Sequence, residues 1–227
     1  MSHHGRTSKT ILSTHPAKAF QHLDMLRREG RFIDVHLAAG ERRFPAHRAV
    51  LCACSAYFDR MFRSGFQEEE TKEVTLNDFH PDILEQLLEF MYTAKITITD
   101  ENAQDMLAGA NLLLLHDVSE AACDVLSRLL DHTNCLAVRS IAAAYSCRDL
   151  ERRADIVLLE RFELVCRGEE FLESKFEDVF DILKKDDIIV KSEETVWETI
   201  VSWIDHDEDR ARHFSELLPF LSWFSLV

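Results

Sequence analysis

The stretch Phe44-Pro45-Ala46-His47-Arg48-Ala49-Val50-Leu51, followed by Ser55-Ala56-Tyr57-Phe58-Asp59-Arg60-Met61-Phe62, is where this sequence changes from one periodicity to another. Upstream, Ile33, Val35 and Leu37 alternate with Asp34 and His36, and a turn at Gly40 leads into Arg42-Arg43-Phe44-Pro45. Alternation of period two broken by a glycine predicts a short hairpin, and the proline suits an edge strand. Past His47, the residues Ala49, Val50, Leu51 and Ala53 make one helical segment. Tyr57, Phe58, Met61 and Phe62 then fall at i, i+1, i+4 and i+5, one face of a helix that Ser55 is placed to cap. Gly65-Phe66-Gln67-Glu68 ends it.

Before the hairpin, residues 1–15 are polar and aperiodic and read as a flexible lead-in. From Pro16 the apolar positions Phe20, Leu23 and Leu26 recur at helical spacing up to Glu29-Gly30, where glycine supplies the stop. After the hairpin and its helices, Glu73-Val74-Thr75-Leu76 predicts a strand. Pro81 to Tyr92 predicts a helix burying Ile83, Leu84, Leu87, Leu88 and Met91, and Lys95-Ile96-Thr97-Ile98 a further short strand. Helices over 102–115 and 118–130 close this mixed α+β unit, and the polar break Asp131-His132-Thr133 places a domain boundary near residue 132. Everything beyond predicts helix: 136–146, 150–165, 176–183 behind the capping box Ser174-Lys175-Phe176-Glu177, 193–204 and 207–218. No self-similarity with a period of roughly 20 to 50 residues appears.

Hydrophobic residues make up 46% of the 227 and charged ones 30%, enough apolar side chain for two modest cores rather than a disordered chain. A formal net charge of -15 opposes the phosphate attraction behind non-specific nucleic-acid binding, so nucleic acid is not an expected partner. No run approaches the roughly 18 apolar residues of a spanning helix, and the N-terminus has no apolar signal-peptide core. A cytosolic or nuclear location without a membrane partner is the expectation. The cysteines Cys52, Cys54, Cys123, Cys135, Cys147 and Cys166 stand mostly among apolar neighbours, as reduced buried thiols do. His47, Cys52 and Cys54 do not make up four well-spaced ligands, so no metal is expected. With neither a nucleophile motif nor a glycine-rich phosphate loop, the chain reads as a non-enzyme without a cofactor.

The order of elements, together with Asp34-Val35, Phe44 to Leu51, Ser55 to Phe62 and Met91-Tyr92-Thr93, resembles the BTB/POZ fold over residues 16–131, a small sheet with flanking helices. Residues 132–227 resemble the all-α BACK domain of Kelch-like proteins. Asn134-Cys135, Glu169-Glu170-Phe171-Leu172, Asp186-Asp187-Ile188, Ser192-Glu193-Glu194-Thr195-Val196 and Trp203 carry that resemblance. The tail Leu221-Ser222-Trp223-Phe224-Ser225-Leu226-Val227 departs from the pattern, where the family runs on into further BACK helices and a substrate-binding Kelch propeller. The expectation is a BACK domain incomplete at its C-terminus, whether as a fragment, a chain edge or a variant terminus.

BTB followed directly by BACK implies a dimeric substrate adaptor of a Cullin-3 ubiquitin ligase. In similar adaptors a hydrophobic-x-Glu triplet follows the Tyr-Phe-x-x-Met-Phe helix, and Phe66-Gln67-Glu68 stands in that place. The resemblance thus implies a Cullin-3 contact made by Tyr57, Phe58, Met61, Phe62, Phe66 and Glu68. An exposed aromatic anchor beside an orienting carboxylate suits such a contact, against the alternative that Phe66 packs into its own core. The same resemblance assigns Phe20, Leu23 and Leu26 to a homodimer interface, with Asp34 and Arg48 as a buried charge pair beside it. A substrate protein would be bound by a module outside these residues. Two other readings remain: a BTB transcriptional regulator recruiting a co-repressor near Asp34 and Arg48, and a regulatory short form that pairs with full-length protein without delivering substrate.

Overall fold

The computed structural model describes residues 14–63, 72–77, 79–185 and 193–220. The expected lead-in before Thr14, the Phe66-Gln67-Glu68 triplet, Asp186-Asp187-Ile188 and the tail from Leu221 lie outside the described residues. The chain divides into two compact units, one running to Ile98 and taking in Asp105–Ser119, the other made of Thr99–Gln104 and the residues from Glu120 onward.

In the first unit, α1 (His15–Arg28) stops as its spacing predicts. Gly30 takes φ +69°, and the Arg31 amide donates back to the Leu26 carbonyl at 2.8 Å, a left-handed closure that a side chain would strain. The hairpin forms from β1 (Val35–Ala39) and β2 (Arg42–Ala46), antiparallel with Leu37 opposite Phe44, around Gly40 at φ +53°. A third strand, β3 (Glu73–Thr75), pairs in parallel with the other side of β1, Leu37 opposite Val74, giving the order β2-β1-β3. Pro45 thus sits on an edge strand, where its missing N–H costs no ladder bond.

The helices α2 (Arg48–Cys54), α3 (Ala56–Arg63), α4 (Pro81–Thr93), α5 (Ala103–Leu112) and α6 (His116–Leu129) follow in turn. In α4 the buried residues are Ile83, Leu84, Leu87, Leu88, Met91 and Tyr92. Gly109 lets α5 approach α4: a Cβ there would lie 2.8 Å from Phe79 Cζ and 3.0 Å from Leu87 Cδ1. Residues 95–99 do not join the sheet as expected. The alternation that predicted a strand is real, with Ile96 and Ile98 half-buried on the core and Lys95 exposed, but no strand pairs with it among the described residues.

The second unit is helical: α7 (Cys135–Ala144), α8 (Arg148–Glu160), α9 (Phe162–Cys166), α10 (Glu169–Leu172), α11 (Phe176–Leu183), α12 (Glu193–Asp205), a 3₁₀ turn over Glu208–His213 and α13 (Phe214–Leu217). Its core gathers Leu158, Phe162, Phe171, Val179, Ile200 and Trp203, each fully enclosed or nearly so. Trp203 donates from Nε1 to the Ser174 carbonyl at 3.0 Å, and the Arg210 guanidinium lies 4.5 Å over its ring. Arg210 also donates to the carbonyls of Leu172 and Trp203, closing the chain over the tryptophan.

Local expectations change in three places here. The capping box does not form: α11 begins after Lys175, while Ser174 Oγ donates back to the Glu170 carbonyl at 2.7 Å. The helix expected over 150–165 is interrupted at Arg161, giving α8 and α9. The last expected helix is instead the 3₁₀ turn, capped by Asp207 accepting from the Asp209 amide, followed by the short α13.

Candidate protein-interaction site

Helix α3 is set in place by one serine. Ser55 is 1% exposed, and its Oγ donates to the Leu113 carbonyl at 2.7 Å while accepting the Phe58 amide at 3.4 Å. Its own amide ends α2 on the Leu51 carbonyl. A single residue therefore terminates one helix, caps the next and anchors both to the chain just after α5.

The face that α3 turns inward carries Phe58, fully buried, and Phe62, 9% exposed, stacked with ring centroids 6.0 Å apart. This corrects the expectation that all four residues of the motif face a partner. Phe58 and Phe62 belong to the unit's own core, because burying two phenyl rings stabilises the helix by several times what a surface contact returns. Tyr57 and Met61 are half-buried, and the Tyr57 ring stands edge-on to Phe58 at 5.3 Å. Around them Arg60 and Arg63 are exposed, and Arg63 pairs with Asp59 at 2.8 Å. Phe66 and Glu68 lie outside the described residues. The chain returns at Lys72, whose carbonyl accepts the His36 amide at 2.8 Å.

The helix α1 presents Phe20, Leu23 and Leu26, all half-buried, and Phe20 and Leu23 pack on the core. Beside them Met25 is 46% exposed, and Phe32, held at φ +59°, is 74% exposed. Asp24 sits among these apolar positions, 8% exposed, and accepts from the guanidinium groups of Arg27 and Arg28 at 2.8 Å each. Arg27 at i+3 and Arg28 at i+4 are the sequence signal for it.

Asp34 and Arg48 do not form the buried carboxylate–guanidinium pair that was expected. Asp34 is exposed and accepts the main-chain N–H of Arg48 at 2.7 Å, satisfying one of the amides that the first turn of α2 leaves without a helical partner. The Arg48 guanidinium lies 4.6 Å over the Phe62 ring. Both residues thus brace the base of α2 and α3.

A contact absent from the sequence reading lies behind them. Tyr92 Oη accepts the His47 amide at 2.9 Å and meets His47 Nδ1 at 3.0 Å, while His47 Nε2 lies 2.9 Å from the Arg31 carbonyl. Both ring nitrogens are thereby committed to protein partners. Burial pushes the Tyr92 hydroxyl up to about 12. Cys54 donates to the Met91 carbonyl at 3.3 Å, and burial raises both its thiol and that of Cys52. Among the described residues no cluster of three or more His, Cys, Asp or Glu is placed to hold a metal ion, and no helix is long and apolar enough to cross a membrane.

Two family models match the chain: the BTB/POZ domain over residues 23–130, and the domain described as BTB And C-terminal Kelch over residues 135–225. Kelch-like protein 3 of Mus musculus is 37% identical over 214 residues, covering 94% of this chain and 36% of its own length. Kelch-like protein 25 of Homo sapiens is 38% identical over 208 residues, covering 91% of this chain and 35% of its own. The chain thus spans about a third of the length of these curated relatives. Among solved structures, the BTB domain of zebrafish PATZ1 matches 54% of this chain and 99% of its own, at 34% identity and a TM-score of 0.49. With a BTB/POZ domain leading directly into a BACK domain, and Kelch-like relatives along almost its whole length, this chain belongs to the BTB-BACK proteins of the Kelch-like family.

Proposed function

We propose that this chain is the scaffold-binding and dimerising part of a substrate adaptor for a Cullin-3 RING ubiquitin ligase, with its BTB and BACK modules meeting near residue 132. The observation that carries the reading is the division of labour in α3: Phe58 and Phe62 lock the helix from behind, while Tyr57 and Met61 stay half-exposed on its other side. A helix fixed by its own core loses little further freedom on binding, so its outer side chains can contribute nearly their full contact energy. Phe66 and Glu68 follow in sequence and supply the aromatic anchor and the orienting carboxylate of the contact.

Homodimerisation through α1 accompanies this role. Phe20, Leu23 and Leu26, flanked by the exposed Met25 and Phe32, offer apolar area that a second copy would cover. A dimer presents two scaffold sites and two substrate arms, raising avidity without any new contact. The chain itself performs no chemistry in this reading; it works in the cytosol or nucleus by holding a substrate, chosen by residues outside this sequence, near the ligase.

Calorimetry against the Cullin-3 N-terminal domain tests the reading. Wild-type protein should bind, and Phe66→Ala or Glu68→Lys should abolish the heat while light scattering still reports a dimer. Absence of binding by the wild-type chain would overturn the proposal.

A further inference from the structure

The last helical turns of the second unit are apolar on two sides. Leu217 and Phe220 belong to the core, 0% and 8% exposed, and the Phe220 ring stands edge-on to Phe180 at 5.1 Å. Phe214 and Leu218, one turn apart, lie on an adjoining side, Phe214 half-buried and Leu218 41% exposed. Next to them α12 presents Trp197, 43% exposed, whose ring meets Phe214 edge-on at 6.0 Å. Val201, one turn further along α12, is half-buried.

A surface helix normally carries one apolar stripe, and one that is apolar around more of its circumference is covered there as well. Trp197, Phe214 and Leu218 make a continuous patch, and their sequence neighbours Glu194, Glu198, Ser215 and Glu216 are all exposed. An apolar patch with a polar rim is a contact surface rather than a scatter of single exposed residues. The segment that follows Phe220 in the chain has the matching chemistry. Residues 221–227 read Leu-Ser-Trp-Phe-Ser-Leu-Val, apolar at most positions and without a charged side chain. At about 3.3 Å per extended residue they reach roughly 23 Å, about twice the width of a helix, so the patch lies within their range. Their attachment at Phe220 keeps them at an effective concentration on the order of millimolar, far above that of a free partner.

We propose that residues 221–227 dock on the face made by Trp197 of α12 with Phe214 and Leu218, closing the apolar side that the helices leave open. The aromatic side chains Trp223 and Phe224 meet Trp197 and Phe214, where offset or edge-on ring pairs add to the area buried. The contact is made within one chain and needs neither a ligase nor a second copy. It also gives these residues a role as the outer layer of the second unit's core, which otherwise ends at Phe220.

The test is photo-cross-linking of the intact 227-residue chain carrying Phe224→p-benzoylphenylalanine. After irradiation the product should run at the mass of a single chain on a denaturing gel, and tryptic digestion should join the peptide holding Trp197 to the peptide holding residue 224. Trp197→Gln together with Leu218→Gln should lower the yield of that product several-fold. Removing residues 221–227 should raise the fluorescence of the uncharged apolar dye Nile red, and Trp197→Gln in the shortened chain should take the rise away. Products at twice the chain mass would assign the face to a second copy instead. That result, bonds scattered over other peptides, or dye fluorescence unchanged by the shortening would each overturn the proposal, whether or not a glutamine variant folds.

Discussion

In the first unit a buried polar contact, donated by the His47 amide to Tyr92 Oη, spans 45 residues and ties α4 to the turn between an edge strand and α2. In the second the corresponding contact, from Trp203 Nε1 to the Ser174 carbonyl, spans 29 residues and joins helix to turn with no sheet involved. Where a sheet is present, paired backbones set the register of β1 against both neighbours, and the side chains fill a frame that already exists. Where only helices are present, the frame itself depends on side-chain shape, and one large ring with Arg210 above it and the Leu172 and Ser174 carbonyls bonded around it organises the unit. Stability should therefore be concentrated at Trp203 in the second unit and spread over many residues in the first.

The sharpest way to break this contrast is Trp203→Ala. It should cost about 3–5 kcal/mol, the usual range for removing a buried large aromatic side chain, read from urea denaturation followed by circular dichroism; a loss below about 1 kcal/mol would remove the basis for the comparison. Next comes Gly109→Ala, whose added methyl meets Phe79, Leu87 and Ile83 within 3.1 Å. Overpacking there should cost about 1–3 kcal/mol, and Gly109→Ala combined with Leu87→Val should recover part of it. Tyr92→Phe keeps the ring but leaves the His47 amide and Nδ1 without their partner, for about 1–2 kcal/mol by the same denaturation measurement. If it proved as costly as Trp203→Ala, the first unit would be as concentrated as the second.

The smallest effect concerns pH. Burial raises the Glu170 carboxyl above its ordinary value, against the opposing influence of the Ala137 and Leu136 amides. The folded chain then holds this proton more tightly than the unfolded one, so the associated stability is present at acid pH and is lost as pH rises through the raised folded value. Glu170→Gln should flatten that part of the stability profile by less than about 0.5 kcal/mol, since the half-buried group is still partly screened by solvent. Denaturation midpoints of both proteins from acid to neutral pH check the sign.

Much of the fold was legible because its strongest elements are strongly periodic. The α4 pattern of Ile83, Leu84, Leu87, Leu88 and Met91 behind Pro81, and the Gly30 stop of α1, each needed only local physics. Other features depended on partners distant in sequence. Ser174 matched a capping box by spacing, yet its hydroxyl is taken by Glu170 and its carbonyl by Trp203. Ile96 and Ile98 alternate as a strand should, but a strand also requires a neighbour, and spacing carries no information about one. In α3 the motif identified the helix correctly without sorting its faces. The adjacent large apolar pairs Tyr57-Phe58 and Met61-Phe62 admit two choices of inner pair, and the Ser55 anchor to Leu113 decides for Phe58 and Phe62.

The parallel pairing of β3 with β1 has a kinetic consequence. His36 pairs with Glu73, and all of α2 and α3 lies on the chain between them. Parallel strands cannot be joined by a tight turn, so this ladder closes only after a long excursion has been paid for in chain entropy. Contacts of such sequence separation slow folding, which makes β3 docking a candidate for the rate-limiting event in the first unit. A cell would then make the β1–β2 hairpin early during synthesis and add β3 to it only later.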